Sequence, residues 1–155
     1  MIKIICMGVS TISNENFYTF SEYIKNDGNL ITPSMEDYIE MIYRLSIDNK
    51  MGIRVNDLSE ALNVRPPSTT KMMKRLLELN ICEYKKHGAI FLTDNGLNIG
   101  RFLLLRHNTI EAFLRYLGVR ETLLDQTEKI EHLINSETLE CINKFLLNYS
   151  NNENK

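Results

Sequence analysis

Between Thr32 and Thr93 the sequence has three stretches with helical spacing, followed at once by two short strand-like runs, an order that few folds accommodate. The first helix has a clear start, because Thr32 suits an N-cap and Pro33 suits the first helical position. Gly88 marks a turn between the two strands. This order predicts a winged helix-turn-helix. The predicted elements are helices over 32–46, 56–62 and 66–79 and strands over 81–85 and 89–93.

After the hairpin, apolar residues recur at helical spacing, which predicts three further helices over 95–117, 120–133 and 136–148. We therefore expect a mainly α protein, with an N-terminal winged helix-turn-helix and a two-strand wing followed by an all-helical domain. The predicted divisions are an N-terminal extension over 1–30 that is partly helical or flexible, a winged-helix domain over 31–94, a helical domain over 95–150 and a disordered tail over 151–155.

The cysteines and the N-terminal residues bear on the cellular compartment. Cys6, Cys82 and Cys141 are far apart and odd in number, so they form neither a disulfide framework nor a CxxC zinc site. A reducing cytosol is the natural expectation. The apolar residues 1–9 are too few for a membrane-spanning helix. These features predict a cytoplasmic protein without a membrane partner.

The net charge of -2 conceals an uneven distribution along the chain. Residues 1–49 hold three basic and seven acidic residues, and residues 91–155 hold seven basic and nine acidic ones. Residues 50–90, which contain the predicted helix-turn-helix, hold eight basic residues against four acidic ones. A basic middle on this motif indicates a nucleic-acid partner.

The second helix of a helix-turn-helix enters the major groove of DNA with its N-terminal residues toward the bases. Short hydroxyl side chains at that end can approach bases or phosphates, while lysines neutralise the backbone. A single lysine here is explained equally well as a solvated charge, and Ser68 also as a capping hydroxyl. The candidate DNA-binding residues are Arg65, Pro67, Ser68, Thr69, Thr70, Lys71, Lys74 and Arg75, with Lys85, Lys86 and His87 in the wing.

Acidic residues and histidines outside the second helix form another pattern. Two carboxylates share a face of the first helix, a later helix carries two more with a histidine, and a further histidine lies between. Four carboxylates would repel one another without a cation, and two divalent ions would cancel their charge. Oxygen-rich ligands with imidazole and no thiolate favour manganese or ferrous iron over zinc or copper(I). The candidate metal ligands are Asp37, Glu40, His107, Glu128, Glu131 and His132.

Each of these residues has an ordinary explanation when taken alone. Asp37 also suits the first turn of a helix, where a carboxylate favours the helix dipole. Glu128 and Glu131 would be unremarkable as solvated helix residues. His107 lies in an apolar stretch, where a histidine is more often part of a core or an interface. Spacing along the chain does not show that three separate segments meet.

Several motifs in the same order resemble the diphtheria-toxin repressor family, and most closely its manganese transport regulator branch. The resemblance covers about residues 31–148. It rests on Thr-Pro-Ser-Met-Glu-Asp-Tyr-Ile-Glu at 32–40, Val-Arg-Pro-Pro-Ser-Thr-Thr-Lys-Met at 64–72, Glu-Tyr-Lys-Lys-His-Gly-Ala-Ile-Phe-Leu-Thr at 83–93, Arg-His at 106–107 and Glu-Lys-Ile-Glu-His at 128–132.

The resemblance implies a homodimer in which the six candidate ligands match a binuclear metal site, residue by residue. Iron-type members of the family carry methionine where Asp37 stands and cysteine where Glu128 stands, so both positions match the manganese type. An ancillary metal site of the iron type uses a histidine where this sequence has Leu124, and that site is expected to be absent. Thr69 replaces a typical valine.

We therefore expect a metal-dependent repressor of metal-uptake genes that is not an enzyme. It would hold two Mn2+ per subunit, with Fe2+ as a second candidate, and bind palindromic operator DNA as a homodimer. Metal would bridge the two domains and favour the DNA-binding dimer. Two other functions stay open, namely a winged-helix regulator of a non-metal ligand and a dinuclear metallohydrolase. The candidate dimer-interface residues are Leu103, Leu104, Ile110, Phe113, Leu114 and Leu117.

Overall fold

A computed structural model describes residues 30–85 and 88–153 of the chain. Residues from Ile31 onward belong to one compact unit. The expectations for residues 1–29, for Lys86 and His87 at the wing tip and for residues 154–155 lie outside the described residues. The boundary between the winged-helix domain and the helical domain, at residues 94 and 95, stays a prediction.

The described residues form six helices and a two-stranded antiparallel sheet, which confirms the predicted fold class. Helices α1 to α3 precede the sheet, and helices α4 to α6 follow it. None of these helices has the length and apolar character needed to cross a membrane. The elements are α1 Pro33–Asp48, α2 Val55–Ala61, α3 Pro66–Glu78, β1 Cys82–Tyr84, β2 Ile90–Leu92, α4 Asp94–Tyr116, α5 Leu123–Glu131 and α6 Ser136–Glu153.

Helix α1 begins where the sequence predicts. The Oγ1 atom of Thr32 accepts a hydrogen bond from the backbone N–H of Met35 at 3.4 Å, and Pro33 occupies the first helical turn. Ile39 and Ile42 are fully buried on the inner face of α1. They pack in one hydrophobic core with residues of α2, α3, the sheet and α4.

The tight turn of the helix-turn-helix is a Schellman motif. Asn63 has a φ of 53° and so adopts the left-handed conformation that ends many helices. Its N–H donates to the carbonyl of Glu60, and the N–H of Val64 donates to the carbonyl of Ser59. These bonds satisfy the last carbonyls of α2 and turn the chain into α3.

The wing is shorter than predicted, since each strand has three residues. Cys82 pairs with Leu92 and Tyr84 pairs with Ile90. Ile53, which precedes α2, forms an isolated bridge with Ile90 on the far edge of β2. The backbone at residue 53 therefore adds a bridge to the hairpin and connects it to α2.

A close contact between α1 and α4 sets the distance between the two halves of the compact unit. Gly100 of α4 faces Tyr43 of α1, and a Cβ atom at residue 100 would lie 2.6 Å from the Cβ of Tyr43. Only glycine permits this approach without a shift of backbone. Helix α4 is thereby held against the helix that carries Asp37 and Glu40.

The predicted C-terminal boundary is wrong. Helix α6 continues to Glu153, so residues 151–153 of the expected disordered tail have helical backbone. An existing helix gains one hydrogen bond for each residue added, even where that residue is polar. The spacing of apolar residues therefore does not reveal where such a helix ends.

A pair of hydroxyl groups joins the two helices of the helix-turn-helix. Ser59 and Thr69 are both buried, and the Ser59 Oγ lies 2.8 Å from the Thr69 Oγ1 and 2.6 Å from the carbonyl oxygen of Val55. A carbonyl only accepts, and Ser59 has one hydroxyl proton. Both contacts are satisfied when Ser59 donates to Val55 and Thr69 donates to Ser59.

We expect Ser59→Ala and Thr69→Val to be energetically coupled. Ser59→Ala leaves a buried hydroxyl without its acceptor and should cost about 1–2 kcal/mol, whereas removing both hydroxyls avoids that penalty. The two single costs should therefore exceed the cost of the double variant by about 0.5–1.5 kcal/mol in urea denaturation.

The matched control pairs Ser59→Ala with Thr127→Val, because the buried Thr127 donates to Leu123 within α5, away from this contact. That pair should be additive. Additive costs for Ser59 and Thr69 would contradict the hydroxyl pair.

Candidate metal centre and nucleic-acid interface

Helices α1, α4 and α5 line an open cleft of about 780 Å³. The structure brings all six candidate metal ligands to this cleft, although they come from three distant segments of the chain. Leu124 also lines the cleft and is well exposed. The residues that line the cleft and were predicted as ligands are Asp37, Glu40, His107, Glu128, Glu131 and His132.

Local structure explains why these side chains converge. Asp37 and Glu40 are three residues apart, so they share one face of α1. His107 is buried near the middle of α4. Glu131 ends α5 and His132 is its C-cap residue, which places both at the end of the helix that faces α1 and α4.

Five of the six residues fall into two groups that share Glu131. One ligand atom each from Asp37, Glu131 and His132 lie within 4.8 Å of one another. The same holds for Glu40, His107 and Glu131. A carboxylate has two oxygens, so Glu131 can serve both groups at once.

Glu131 is a buried carboxylate held by imidazole. Its exposed fraction is 1%, and its Oε2 lies 2.8 Å from the Nδ1 of His107. This hydrogen bond raises the pKa of His107 above its usual value, against the lowering effect of burial. The Oε1 of Glu131 lies 3.9 Å from the Nε2 of His132, so the two imidazoles flank one carboxylate.

Both ring nitrogens of His132 form hydrogen bonds with acidic residues of α1. Its Nε2 lies 3.0 Å from the Oδ1 of Asp37, and its Nδ1 lies 2.7 Å from the Oε2 of Glu36. These hydrogen bonds, from Asp37 first and Glu36 second, raise the pKa of His132 to about 10.

Glu128 stands at the rim of the cleft and belongs to neither group. Its side chain is half-exposed, and its Oε1 lies 3.6 Å from the Nδ1 of His107. Burial raises the pKa of Glu128, and the nearby carboxylate of Glu131 raises it further. A cation bound beside Glu128 would stabilise its ionised carboxylate, which these surroundings disfavour.

The sequence interpretation missed three residues that surround this cluster. Arg106 is buried on α4 and pairs with Glu36, with 2.6 Å between its Nη2 and the Glu36 Oε2. Arg44 pairs with the Oε1 of Glu40, also at 2.6 Å. Glu36 lies in the first turn of α1, and its proximity to His132 has no signal in the sequence. The one usable signal in the sequence was Arg106 itself, a charged residue within an apolar helical stretch.

The donor set fits a divalent cation of the manganese or ferrous type. It offers carboxylate oxygens and imidazole nitrogens without thiolate, which is the chemistry that these ions accept. The cleft is lined by five acidic side chains against one arginine, one lysine and two histidines, so a divalent cation there is electrostatically favoured. In the described residues, Glu131 is the point at which the two groups meet.

Most predicted DNA-binding residues of α3 and the preceding turn are exposed, and they form a basic surface on one side of the helix-turn-helix. Ser68 is exposed but does not cap α3, because Arg65 occupies the N-cap position without a side-chain cap. The exposed residues are Arg65, Pro67, Ser68, Thr70, Lys71, Lys74 and Arg75.

Thr69 is wrong as a DNA-binding residue. It is fully buried against Ser59 and presents no surface to a partner. The polarity of its hydroxyl suggested a contact with DNA, but helical spacing turns this position inward beside Met73. In the wing, Lys85 is exposed, with its Nζ 2.9 Å from Glu83 and 4.6 Å from the ring centre of Phe91.

Two of the candidate dimer-interface residues are wrong. Leu103 and Ile110 are 1% and 2% exposed, because they face the interior of this chain and are not available to a second copy. Leu104, Phe113 and Leu114 are partly buried and Leu117 is exposed, so these four remain predictions. The ring of Phe113 also contacts Phe145 of α6, with 5.9 Å between centroids.

Profiles of one protein family match both halves of the described chain. Residues 30–90 match the iron dependent repressor N-terminal DNA binding domain, and residues 93–154 match the iron dependent repressor metal binding and dimerisation domain. The chain is 44% identical over 114 residues to the HTH-type transcriptional regulator MntR of Bacillus pumilus (strain SAFR-032), covering 73% of this chain and 78% of that protein.

Solved structures with similar folds include the manganese regulator SloR, with 31% identity, a TM-score of 0.65 and 74% of this chain covered. The structure of ScaR with bound Zn2+ is also 31% identical, with a TM-score of 0.62 and 72% of this chain covered. The matches cover 54% and 53% of those chains, so this chain spans about half the length of the two solved relatives.

The two contacts of His132 predict a pH dependence of stability in metal-free protein. Because its pKa is raised from 6.5 to about 10 on folding, the stabilisation is fully present below 6.5 and is lost as the pH rises toward 10. His132→Gln should therefore destabilise the chelator-treated protein by on the order of 1–3 kcal/mol more at about pH 6 than at about pH 9.

Urea denaturation of both proteins at the two pH values measures this difference, and subtraction removes the titrations they share. An equal or larger effect of His132→Gln at the higher pH would rule out a charged His132 between Asp37 and Glu36.

Proposed function

This chain belongs to the iron dependent repressor family, and from that membership we propose that it represses metal-uptake genes when manganese is abundant. It is a metal-dependent, DNA-binding transcription regulator that uses a divalent metal and acts as a dimer on operator DNA, and it is not an enzyme. The identity of the metal, the number of ions and the residues that bind them are the proposed parts.

The proposed metal site holds two Mn2+ per subunit, with Fe2+ as a second candidate. The two ligand groups that meet at Glu131 carry this proposal. Asp37 and His132 would complete one site, and Glu40 and His107 the other, with Glu128 at the rim. Bound metal would supply the positive charge that lets these carboxylates stay close together.

The coupling to DNA runs through α1. This helix presents Asp37 and Glu40 to the cleft, and on its other face Ile39 and Ile42 pack in the core shared with α3. Bound metal that draws Asp37 and Glu40 toward α4 and α5 would therefore shift α1, and α3 packs against α1. A coupling free energy on the order of 1–3 kcal/mol is usual for such a switch.

The proposed operator is palindromic, because a two-fold dimer presents two reading helices to successive major grooves about 34 Å apart. The exposed basic residues of α3 support this role, with Lys71 and Lys74 toward phosphates and Arg65 and Ser68 near the helix start. A regulator of this kind works in the cytoplasm, where the DNA is.

The two alternative functions are not favoured. A regulator of an organic ligand leaves the two carboxylate–imidazole groups without a purpose. A dinuclear hydrolase leaves the basic winged helix without one, and both family profiles describe a regulator.

Glu131→Gln is expected to abolish the response to manganese, because it removes the one charge common to both ligand groups while keeping the side-chain shape. Calorimetric titration of chelator-treated protein with MnCl2 should show a loss of affinity of at least about 10–100-fold. The gain in DNA affinity on adding Mn2+ should disappear with it, in a fluorescence anisotropy assay with a duplex selected from a random library by the manganese-loaded protein.

Glu140→Gln is the matched control, because Glu140 is an exposed acid of α6 that pairs with Lys144. It should keep both responses. Wild-type binding of Mn2+ by Glu131→Gln, or DNA affinity of the unaltered protein that does not respond to Mn2+, would defeat the proposed function.

Lys71→Ala tests the proposed DNA surface separately from the metal. Each phosphate contact releases counterions, so losing one should make the slope of log K against log salt shallower by about 1. Lys144→Ala on α6 removes the same charge elsewhere and should leave the slope unchanged. Equal slopes for Lys71→Ala and the unaltered protein would place DNA on another surface.

A further inference from the structure

Behind the cleft, three separate elements meet at the ring of His132. Glu36 lies in the first turn of α1, Arg106 lies on α4, and His132 caps α5. The Glu36 Oε2 is 2.7 Å from the His132 Nδ1 and 2.6 Å from the Arg106 Nη2. Neither Glu36 nor Arg106 is among the six proposed ligands.

The hydrogen bond at Nδ1 determines which ring nitrogen is available to a cation. An ionised carboxylate only accepts hydrogen bonds, so the Nδ1 of His132 must carry a proton when it bonds Glu36. The other nitrogen, Nε2, is the one that faces Asp37 at 3.0 Å and Glu131 at 3.9 Å. In metal-free protein Nε2 donates a proton to Asp37, and a bound cation would replace that proton, so the Nε2 lone pair would point toward the two neighbouring ligands.

Arg106 holds the carboxylate of Glu36 in place beside His132. Its side chain is 5% exposed, and it bonds both oxygens of Glu36, through Nη1 at 3.4 Å and Nη2 at 2.6 Å. Burial raises the pKa of Glu36, but the hydrogen bonds with His132 and Arg106 together outweigh it and hold that pKa below its usual value. A carboxylate engaged in this way is not free to turn into the cleft.

Burying this arginine is not an obvious gain in stability. Among the described residues, the Nε of Arg106 has no hydrogen-bond partner, and an unsatisfied buried donor costs free energy. A buried ion pair is often no better than an apolar replacement. A function in orienting His132 gives the arrangement a reason that stability alone does not.

We propose that Glu36, held by Arg106, is a positioning residue that fixes the ring of His132 with Nδ1 protonated and Nε2 toward the cation. This inference rests on the proposed function, because it assigns His132 as a ligand. Glu36 acts through His132 and does not itself touch the metal. Outer carboxylates of this kind typically change metal affinity about 10–100-fold.

The test compares Glu36→Ala and Glu36→Gln in the full chain, with Glu140→Ala as the control for loss of an acid. Calorimetric titration with MnCl2 should show a loss of affinity of about 10–100-fold for Glu36→Ala. Glu36→Gln should lose less, because its amide oxygen still accepts from Nδ1. Glu140→Ala should match the unaltered protein.

Nitrogen-15 NMR of histidine in the Cd2+-loaded protein supplies a readout that general destabilisation does not move. In the unaltered protein the Nδ1 of His132 should carry a proton and Nε2 should show bonding to cadmium. Because this measurement uses the unaltered protein, it tests the proposed orientation of His132 even if Glu36→Ala fails to fold.

Three results would overturn the inference. The first is unchanged Mn2+ affinity in Glu36→Ala, and the second is cadmium bonded to the Nδ1 of His132. The third is an equal loss of Mn2+ affinity in Glu36→Ala and Glu36→Gln with the His132 NMR signals unaltered, because that result would make Glu36 itself a ligand. Failure of the unaltered protein to bind Mn2+ would instead defeat the proposed function.

Discussion

The buried carboxylate of Glu131 is the constraint on which the rest of the site depends. An ionised acid that is 1% exposed must be countered by positive charge, and here two imidazoles flank it while further acids stand close by. At the edges of the cluster, Arg44 pairs with Glu40 and Arg106 pairs with Glu36. Because the acids come from α1 and α5, any change in the charge of the cleft acts on the packing between those helices.

Packing determines how such a change reaches the DNA-binding surface. The contact between Gly100 and Tyr43 holds α4 close to α1, and the core behind α1 includes Met73 and Leu76 of α3. Because α4 packs so closely on α1 at this contact, a small shift of α1 fits the structure better than a wide hinge motion. Close-packed interiors transmit small displacements because they cannot absorb them.

Much of this arrangement could be predicted from the sequence, because it has local causes. Thr32 and Pro33 mark the start of α1, and helical spacing puts Asp37 and Glu40 on one face. The meeting of three segments at the cleft was suggested by the family resemblance, since spacing is silent on tertiary contacts. The inward position of Thr69 was missed because a hydroxyl beside a basic surface resembles a DNA contact. Its partner Ser59, ten residues earlier, leaves no pattern in the sequence.

Anomalous diffraction at the manganese edge, from crystals grown with MnCl2, tests the central claim most directly. The account predicts two manganese peaks per subunit inside the cleft, both next to the carboxylate of Glu131, one beside Asp37 and His132 and the other beside Glu40 and His107. A cleft without anomalous signal while manganese is ordered elsewhere, or ions bound away from Glu131, would contradict it.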